Sequence, residues 1–325
     1  MNKRILVTGS GGQLGMAFQR LLGESEEILY ADHFSLDITD AKAIESIVSQ
    51  HHPEIILNCA AYTDVERAEE EQDKAFQVNC EAVRCLAQAA YESRALLVHI
   101  STDYLFDGTQ TEPITETTAP HPLNVYGASK LAGEKAILDS GCRYYIFRTS
   151  WLYAPWGDNF VRFMLRLATE RDSLYVVDDQ IGTPTYAPKL AEAILRVIRS
   201  NSVPEQQIFN YSSEGECSRY DMIASAVRAA ERQHILQVLQ RLGRGVGGTN
   251  LIHWHPAKER VRPVGGFVTS LHVGAIARDA RHVRLKERPP LKVRWRKVTK
   301  RYNQEETKDE QYALPRNLFH KITQR

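Results

Sequence analysis

Long apolar runs are absent from this sequence: none approaches the roughly 18 consecutive residues that a membrane-spanning helix requires. The five cysteines are odd in number and widely spaced, and no CxxC pair or His/Cys cluster accompanies them. Neither a disulfide framework nor a metal site is therefore predicted, and the cysteines are expected to be small buried thiols. The first residues lead into an apolar segment without the features of a signal peptide, so we expect a cytoplasmic location and no membrane partner.

A large net charge is also absent, because 41 basic residues nearly balance 40 acidic ones. The balance is uneven along the chain: residues 258–301 contain 14 Lys and Arg against 3 Asp and Glu, whereas residues 1–257 contain 23 against 33. Clustered basic residues suit nucleic-acid phosphates, but no recognised nucleic-acid-binding motif accompanies them. No nucleic-acid partner is therefore expected.

Apolar strand patterns and amphipathic helix patterns alternate regularly up to residue 200. Strands are predicted at residues 3–8, 27–31, 54–58, 95–101, 143–149 and 174–177, and helices at 13–22, 41–50, 72–93, 124–139, 159–169 and 188–200. Such alternation predicts an α/β fold, a Rossmann-type doubly wound parallel sheet with helices on both faces.

The length of 325 residues allows one large domain and a smaller lobe. We predict a dinucleotide-binding domain at residues 1–150, with later returns to the sheet at about 187–212, and a smaller, incomplete C-terminal substrate lobe at 151–230. Beyond about residue 230 the alternation stops. Residues 231–325 form an atypical basic tail, with a glycine-rich stretch and a proline pair but no sustained amphipathic period.

Gly9, Gly12 and Gly15 follow the first predicted strand and open the first predicted helix. This context favours a dinucleotide site, because glycines let the backbone approach a pyrophosphate and the helix N-terminus attracts its charge. The three-residue spacing resembles that of the short-chain dehydrogenase/reductase superfamily.

Asp32 ends the second strand, where an acidic side chain can accept hydrogen bonds from the adenosine ribose; a solvated loop acid is the alternative. No Lys or Arg stands at Ser10, at Gly11 or between Tyr30 and Asp37 to neutralise a 2′-phosphate. This favours NADH, although both NADH and NADPH are retained as cofactor. Asp37 and Ile38 are expected beside the adenine, and the small residues that follow the third strand, Ala60 and Ala61 among them, against the cofactor.

Tyr126 and Lys130 stand four residues apart at the start of a predicted helix, so they share one helix face. An ammonium near a phenol favours the phenolate, so we expect the pKa of Tyr126 to lie below its usual value of about 10. Thr102, at the end of the fourth strand, would add a hydroxyl to the same site. The three residues predict a nicotinamide-dependent reductase that acts on a carbonyl.

Longer strings make the resemblance more specific over residues 1–230. They include Asn58-Cys59-Ala60-Ala61-Tyr62-Thr63, Ser101-Thr102-Asp103-Tyr104, Asn124-Val125-Tyr126-Gly127-Ala128-Ser129-Lys130, Arg148-Thr149-Ser150-Trp151 and Asp178-Asp179-Gln180-Ile181-Gly182-Thr183. In these strings the chain resembles the dTDP-4-dehydrorhamnose reductases, extended short-chain reductases that form dTDP-L-rhamnose, a precursor of cell-wall polysaccharide. The resemblance implies reduction of the C4 ketone of dTDP-4-dehydro-β-L-rhamnose with NADH or NADPH.

The resemblance also implies roles for individual residues. Tyr126 is the implied proton donor, Lys130 its electrostatic partner and ribose anchor, and Thr102 the hydroxyl that polarises the ketone. Substrate contacts are implied for Thr102, Asp103, Trp151 and Gln180; for Trp151, which can form an aromatic wall for a sugar, core packing is the alternative. Dinucleotide contacts are implied for Gly12, Gln13, Leu14, Asp37, Ile38, Ala60, Ala61, Tyr62 and Ile100.

Two departures from the family bear on these expectations. Ala17 stands where some relatives have a glutamate of a magnesium-bridged dimer, so a metal bridge is not expected and a homodimer would form without one. From about Glu231 onward the family pattern is lost, which indicates a segment read in a shifted frame or a lineage-specific tail. The alternatives to an active reductase are a non-catalytic dinucleotide-binding regulatory subunit and an inactive reductase with a disrupted C-terminal lobe. A 4,6-dehydratase is disfavoured because Tyr104, not a glutamate, follows Asp103.

Overall fold

The computed structural model describes residues 3–241, apart from 111, 172–173 and 201–202. Its strands are β1 (Ile5–Thr8), β2 (Ile28–Ala31), β3 (Ile55–Asn58), β4 (Leu96–Thr102), β5 (Arg143–Thr149), β6 (Leu152–Tyr153), β7 (Ile181–Gly182), β8 (Thr185–Tyr186), β9 (Gln207–Asn210) and β10 (Cys217–Ser218). Its helices are α1 (Gln13–Leu22), α2 (Ala41–His51), α3 (Val65–Ala68), α4 (Gln72–Phe76), α5 (Ala82–Ser93), α6 (Val125–Ser140), α7 (Phe160–Glu170), α8 (Ala187–Arg199) and α9 (Arg219–Arg241).

Six of these strands form one parallel sheet in the order β2-β1-β3-β4-β5-β9. Alternate strand residues point to opposite faces, so Ile5 and Val7 pack with α1 and α8, whereas Leu6 packs with α2, α5 and α6. Helices therefore cover both faces of the sheet, and the predicted doubly wound Rossmann-type fold is confirmed.

The smaller lobe is built on α7 and α9, which pack through Met164, Leu167, Ile223 and Val227. Two short ladders accompany them, β7 with β10 antiparallel and β6 with β8 parallel. Helix α9 runs on to Arg241, and the rest of the predicted basic tail lies outside the described residues. Within the part of the chain that is described, no helix is long and apolar enough to span a bilayer.

Two predicted elements were wrong. Residues 174–177 form no strand in the described structure; Leu174 and Val176 instead pack against the α7/α9 core, which explains their alternation, while Tyr175 is 84% exposed. The predicted helix at 72–93 is interrupted by a π-helical segment, Gln77–Glu81. There the side chain of Asn79 bonds the backbone N–H and C=O of Tyr62, which ties the loop after β3 to the helix.

The cysteines are all free, and their expected burial holds fully for Cys80 and Cys142 only. The other three, Cys59, Cys85 and Cys217, are partly exposed. Ala17 lies in the core between the sheet and α1, with 1% of its surface exposed.

Candidate active site

The glycine turn lies at the carboxyl edge of the sheet, between β1 and α1. Gly9 adopts a φ of +62°, and a Cβ there would lie 2.5 Å from the backbone nitrogen of Ala60. A Cβ on Gly15 would lie 2.4 Å from the carbonyl oxygen of Gly9. Glycine is therefore required at both positions, the first by conformation and by the closeness of the loop after β3, the second by the packing of α1 on the turn.

The N-terminus of α1 is open to an anion. Gly12 is its N-cap, no side chain caps it, and its first turn contains no acidic residue. Beside it, Gln13 has a buried side-chain oxygen, Oε1, without a hydrogen-bond partner in the described structure. Free backbone donors, the helix dipole and the orphaned amide oxygen fit a dinucleotide, with its pyrophosphate on the helix N-terminus. The side chain of Leu14 packs in the core, so only its backbone faces the site at the N-terminus of α1.

The acidic residues after β2 lie at the same edge. The Asp32 carboxylate accepts hydrogen bonds from the backbone of Phe34 and from the backbone and hydroxyl of Ser35, at 2.8–3.0 Å, and these bonds lower its pKa. All of them reach Oδ1, which leaves Oδ2 for a further donor. Asp37 is similarly held by Thr39, whereas Ile38 is buried in the core beneath.

The loop after β3 is fixed by helices rather than by its own sequence. Ala60, Ala61 and Tyr62 are partly buried, and Asn79 bonds both Tyr62 and the hydroxyl of Ser129 on α6. The predicted cofactor residues Gly9, Ala60 and Ala61 are therefore brought together at one edge.

Thr102 ends β4 and meets the first turn of α6. Its Oγ1 accepts a hydrogen bond from the backbone of Tyr104 at 3.2 Å and donates one to Asp103 Oδ1 at 3.1 Å. The hydroxyl of Tyr126 lies close to it. The ring of Tyr126 packs edge-on against that of Tyr104, with centroids 5.5 Å apart. Asn124 caps α6 by accepting a hydrogen bond from Gly127, which sets Tyr126 in the first turn.

The expected direction of the Tyr126 pKa was wrong. Burial raises the pKa of the phenol above its usual value, and nearby Asp103 adds to the rise. The pKa of Lys130 is itself lowered to about 8, chiefly by burial, so the amine is neutral over the range in which the phenol would ionise. It therefore cannot favour the phenolate there, and Tyr126 is held in the protonated form that an acid catalyst needs.

Lys130 lies one turn after Tyr126 on α6 and is 2% exposed. Its Nζ donates to the carbonyl oxygen of Ile100 at 2.7 Å and lies 3.2 Å from His99 Nε2. Ile100, predicted to line the dinucleotide, thus contributes its backbone to the position of this lysine.

Trp151 adopts a φ of +43°, in the left-handed region that residues other than glycine rarely occupy. Its ring lies against Gly182, where a Cβ would come within 2.6 Å of the indole. Over the indole lies the guanidinium of Arg219, 3.7 Å from the ring centroid. The backbone N–H of Arg219 donates to the carbonyl of Gln180 at 3.2 Å, which brings two of the predicted substrate residues, Trp151 and Gln180, to one cluster.

The same arginine connects this cluster to the catalytic residues. The guanidinium of Arg219 lies near the hydroxyl of Tyr104 and attracts Asp103. Burial nevertheless raises the pKa of Asp103 to about 6 and lowers that of Arg219. Among the described residues, Arg219 has no carboxylate at ion-pair distance, so its charge remains available to an anionic ligand.

Three residues at this site were not predicted: Asn58, His99 and Arg219. Asn58 and His99 are paired in register on β3 and β4, and Thr8 on β1 pairs with Asn58, so the three polar residues form one row across the sheet. A polar residue near the end of each apolar strand was the available signal, but only the register aligns them. No sequence pattern places Arg219 over Trp151.

Comparison with known proteins agrees with this geometry. The family model of the RmlD substrate binding domain matches residues 3–242, somewhat beyond residue 230, where the sequence resemblance ends. The dTDP-4-dehydrorhamnose reductase of Aggregatibacter actinomycetemcomitans is 41% identical over 239 residues, 72% of this chain and 81% of that protein. That of Escherichia coli K12 is 39% identical over 244 residues, 73% and 82% of the two chains.

Among solved structures, the dTDP-4-dehydrorhamnose reductase of Bacillus anthracis in complex with NADP is similar with a TM-score of 0.67 and 39% identity, over 71% of this chain and 82% of that one. By sequence and by fold, the chain belongs to the RmlD family of dTDP-4-dehydrorhamnose reductases, which are oxidoreductases.

Proposed function

We propose that the chain reduces the C4 ketone of dTDP-4-dehydro-β-L-rhamnose to the alcohol of dTDP-L-rhamnose, with NADH or NADPH as the reductant. The observation that carries the proposal is the closeness of the Tyr126 and Thr102 hydroxyls at the sheet edge that also holds the glycine turn, with Lys130 one helical turn away. Relatives that are 39–41% identical to this chain are named dTDP-4-dehydrorhamnose reductase, and one is solved with NADP.

The nicotinamide, when bound, supplies the hydride. The chain supplies the proton: Tyr126 donates it from its hydroxyl to the ketone oxygen, and burial keeps that hydroxyl protonated beforehand. Thr102 lies beside that hydroxyl and, by turning its own hydrogen from Asp103 to the ketone, offers a second contact to the same oxygen. Lys130, as an ammonium, favours the phenolate left on Tyr126. A positioned proton donor contributes typically about 10²- to 10⁴-fold to the rate.

Alignment of the two reactants contributes more than the proton transfer. Holding ketone and cofactor in one geometry supplies roughly 7–11 kcal/mol, against roughly 3–5 kcal/mol for the proton donor at the rates above. On the cofactor side, Gly9, Gly12, Gly15 and the N-terminus of α1 would hold the pyrophosphate, and Asp32 would bind the ribose. On the sugar side, Trp151 and Asp103 would hold the ring, while Gln180 and Arg219 would bind the nucleotide diphosphate, an anion that suits a guanidinium.

The decisive assay mixes the full chain with NADH or NADPH and the 4-keto sugar nucleotide and follows the absorbance of the reduced nicotinamide. Tyr126→Phe should slow turnover about 10²-fold or more, because it removes the proton donor, and should leave dinucleotide affinity nearly unchanged. Tyr91→Phe, at an exposed tyrosine of α5, is the matched control and should behave as wild type.

Two results would count against the proposal. Normal turnover by Tyr126→Phe would exclude Tyr126 as the acid. Tight binding of the dinucleotide by wild type without any oxidation of it would support a non-catalytic, dinucleotide-binding role. A homodimer remains a prediction that sedimentation of the full chain tests.

A further inference from the structure

A row of buried polar side chains leads away from Lys130 under the sheet edge. Lys130 Nζ lies 3.2 Å from His99 Nε2, and His99 Nδ1 lies 3.0 Å from Asn58 Nδ2. Asn58 Oδ1 accepts hydrogen bonds from Thr8 Oγ1 at 2.7 Å and from the backbone N–H of Ala60 at 3.2 Å. Thr8, Asn58, His99 and Lys130 are each at most 2% exposed, so water cannot rearrange the row freely.

The donors and acceptors of this row fix its protons. A backbone N–H can only donate, so the bond from Ala60 requires that the oxygen of the Asn58 amide, and not its nitrogen, faces the backbone. The amide nitrogen then faces His99 and donates to Nδ1. A neutral imidazole whose Nδ1 accepts must carry its hydrogen on Nε2, and that hydrogen points at Lys130.

The Nε2–H group of His99 can donate a hydrogen bond to Lys130 when Lys130 is a neutral amine, but not when it is an ammonium. A neutral amine accepts the hydrogen with its lone pair and still donates to the carbonyl of Ile100. An ammonium has no acceptor, so it would face His99 donor to donor. To accept from an ammonium, His99 would have to move its hydrogen to Nδ1, the Asn58 amide would have to turn over, and the N–H of Ala60 would lose its partner.

We propose that His99, held in its Nε2–H tautomer by Asn58, is a positioning residue that selects the neutral amine of Lys130 and so sets the upper pH limit of the reaction. The inference rests on the proposed function, since the ammonium is the form that favours the phenolate of Tyr126 in the transition state. Below this pH limit Lys130 is mainly an ammonium despite His99. Above the limit it is mainly a neutral amine, and turnover falls.

The other charges around Lys130 do not account for this preference. On its own helix, Glu134 favours the ammonium, but it is bound through two oxygens to Arg148 of β5, with the closest atoms 2.7 Å apart. Tyr126, also on α6, is neutral over the same range, and His99 of β4 has its pKa held well below the usual value by burial and by Lys130 itself. Burial of Lys130 acts in the same direction as the tautomer, with its pKa near 8.

The test compares the pH dependence of kcat/KM in two variants. In Asn58→Asp, the carboxylate accepts from Ala60, from Thr8 and from an Nδ1–H of His99, which turns Nε2 into an acceptor for the ammonium. In His99→Gln, the amide can present its oxygen to the ammonium without adding charge. Both variants should move the alkaline limb of the profile, near pH 8 in wild type, upward by about one unit or more. Thr8→Val is the control, because Ala60 still holds the Asn58 amide, and its limb should not move.

The tautomer itself has a readout that does not depend on activity. In the full chain labelled with ¹⁵N-histidine, the His99 signal, identified by its loss in His99→Gln, should show a protonated Nε2 in wild type and a protonated Nδ1 in Asn58→Asp. A protonated Nδ1 in wild type, or an alkaline limb that stays in place in both folded variants, would overturn the proposal. Absence of turnover in wild type would refute the proposed function alone, and the tautomer would then decide this inference. If circular dichroism shows that a variant has not folded, the tautomer of His99 in wild type decides the proposal.

Discussion

Burial of Lys130 makes the stability of the protein depend on pH in a direction opposite to that of a lysine in an ion pair. Its pKa is about 8 in the folded protein, against 10.5 for the free side chain. Below pH 8 both states carry the proton, and burying the charge costs the folded state about 3 kcal/mol. Between pH 8 and 10.5 the folded state releases its proton while the unfolded state keeps it. The unfolded state then binds more protons, so stability rises with pH in this window.

Lys130→Met isolates this contribution, because methionine is unbranched and cannot carry a proton. From pH 7 to pH 9 the wild type should regain about 1 kcal/mol of unfolding free energy that the variant does not. The difference in unfolding free energy between wild type and Lys130→Met should therefore change by that amount, in favour of wild type. Titrating groups that do not interact with Lys130 cancel in the comparison.

The measurement is urea unfolding followed by circular dichroism at pH 7 and pH 9. Lys42→Met, at an exposed lysine in the first turn of α2, is the matched control and should give the same gap at both values. A gap for Lys130→Met that is equal at pH 7 and pH 9 would show that the folded protein retains the proton, and the reasoning from burial would fail.

Two further predictions concern packing. Glu134→Gln removes one partner of the buried ion pair with Arg148 and should lower the unfolding free energy by about 3–5 kcal/mol. The control, Glu205→Gln, removes one partner of an exposed ion pair and should lower it by about 1 kcal/mol or less. Equal losses of the two variants in urea unfolding would contradict this prediction. Gly182→Ala places a Cβ within 2.6 Å of the Trp151 indole, so the ring must shift. The KM for the sugar nucleotide should rise on the order of tenfold, with the dinucleotide Kd unchanged; an unchanged KM would remove Trp151 from the sugar pocket.

The residues from 242 onward, with their excess of basic side chains, lie outside the described structure, and the prediction that 231–325 is foreign to the family remains a prediction. Within residues 3–241 the structure contains the sheet, α7 and α9, and α9 includes residues 231–241 of the predicted tail. The family match likewise ends at residue 242.

Local patterns in the sequence determined the elements of this protein. Apolar runs specified β1 to β5, and the glycines specified the turn before α1. Asp40 caps α2 by accepting hydrogen bonds from the backbone of Lys42 and Ala43. The spacing of Tyr126 and Lys130 placed both in α6. These features depend on neighbours within a few residues, so the sequence suffices to predict them.

Only the tertiary structure decided how the site behaves. Strand register aligns Thr8, Asn58 and His99 into one row, and register cannot be read from strands taken singly. Burial, which reversed the expected pKa direction of Tyr126, arises from side chains far apart in sequence. Arg219 likewise reaches Trp151 only because the smaller lobe folds back onto the sheet edge. Protonation states depend on desolvation and on partners brought by packing, and for that reason the sequence could name the catalytic residues but not their charges.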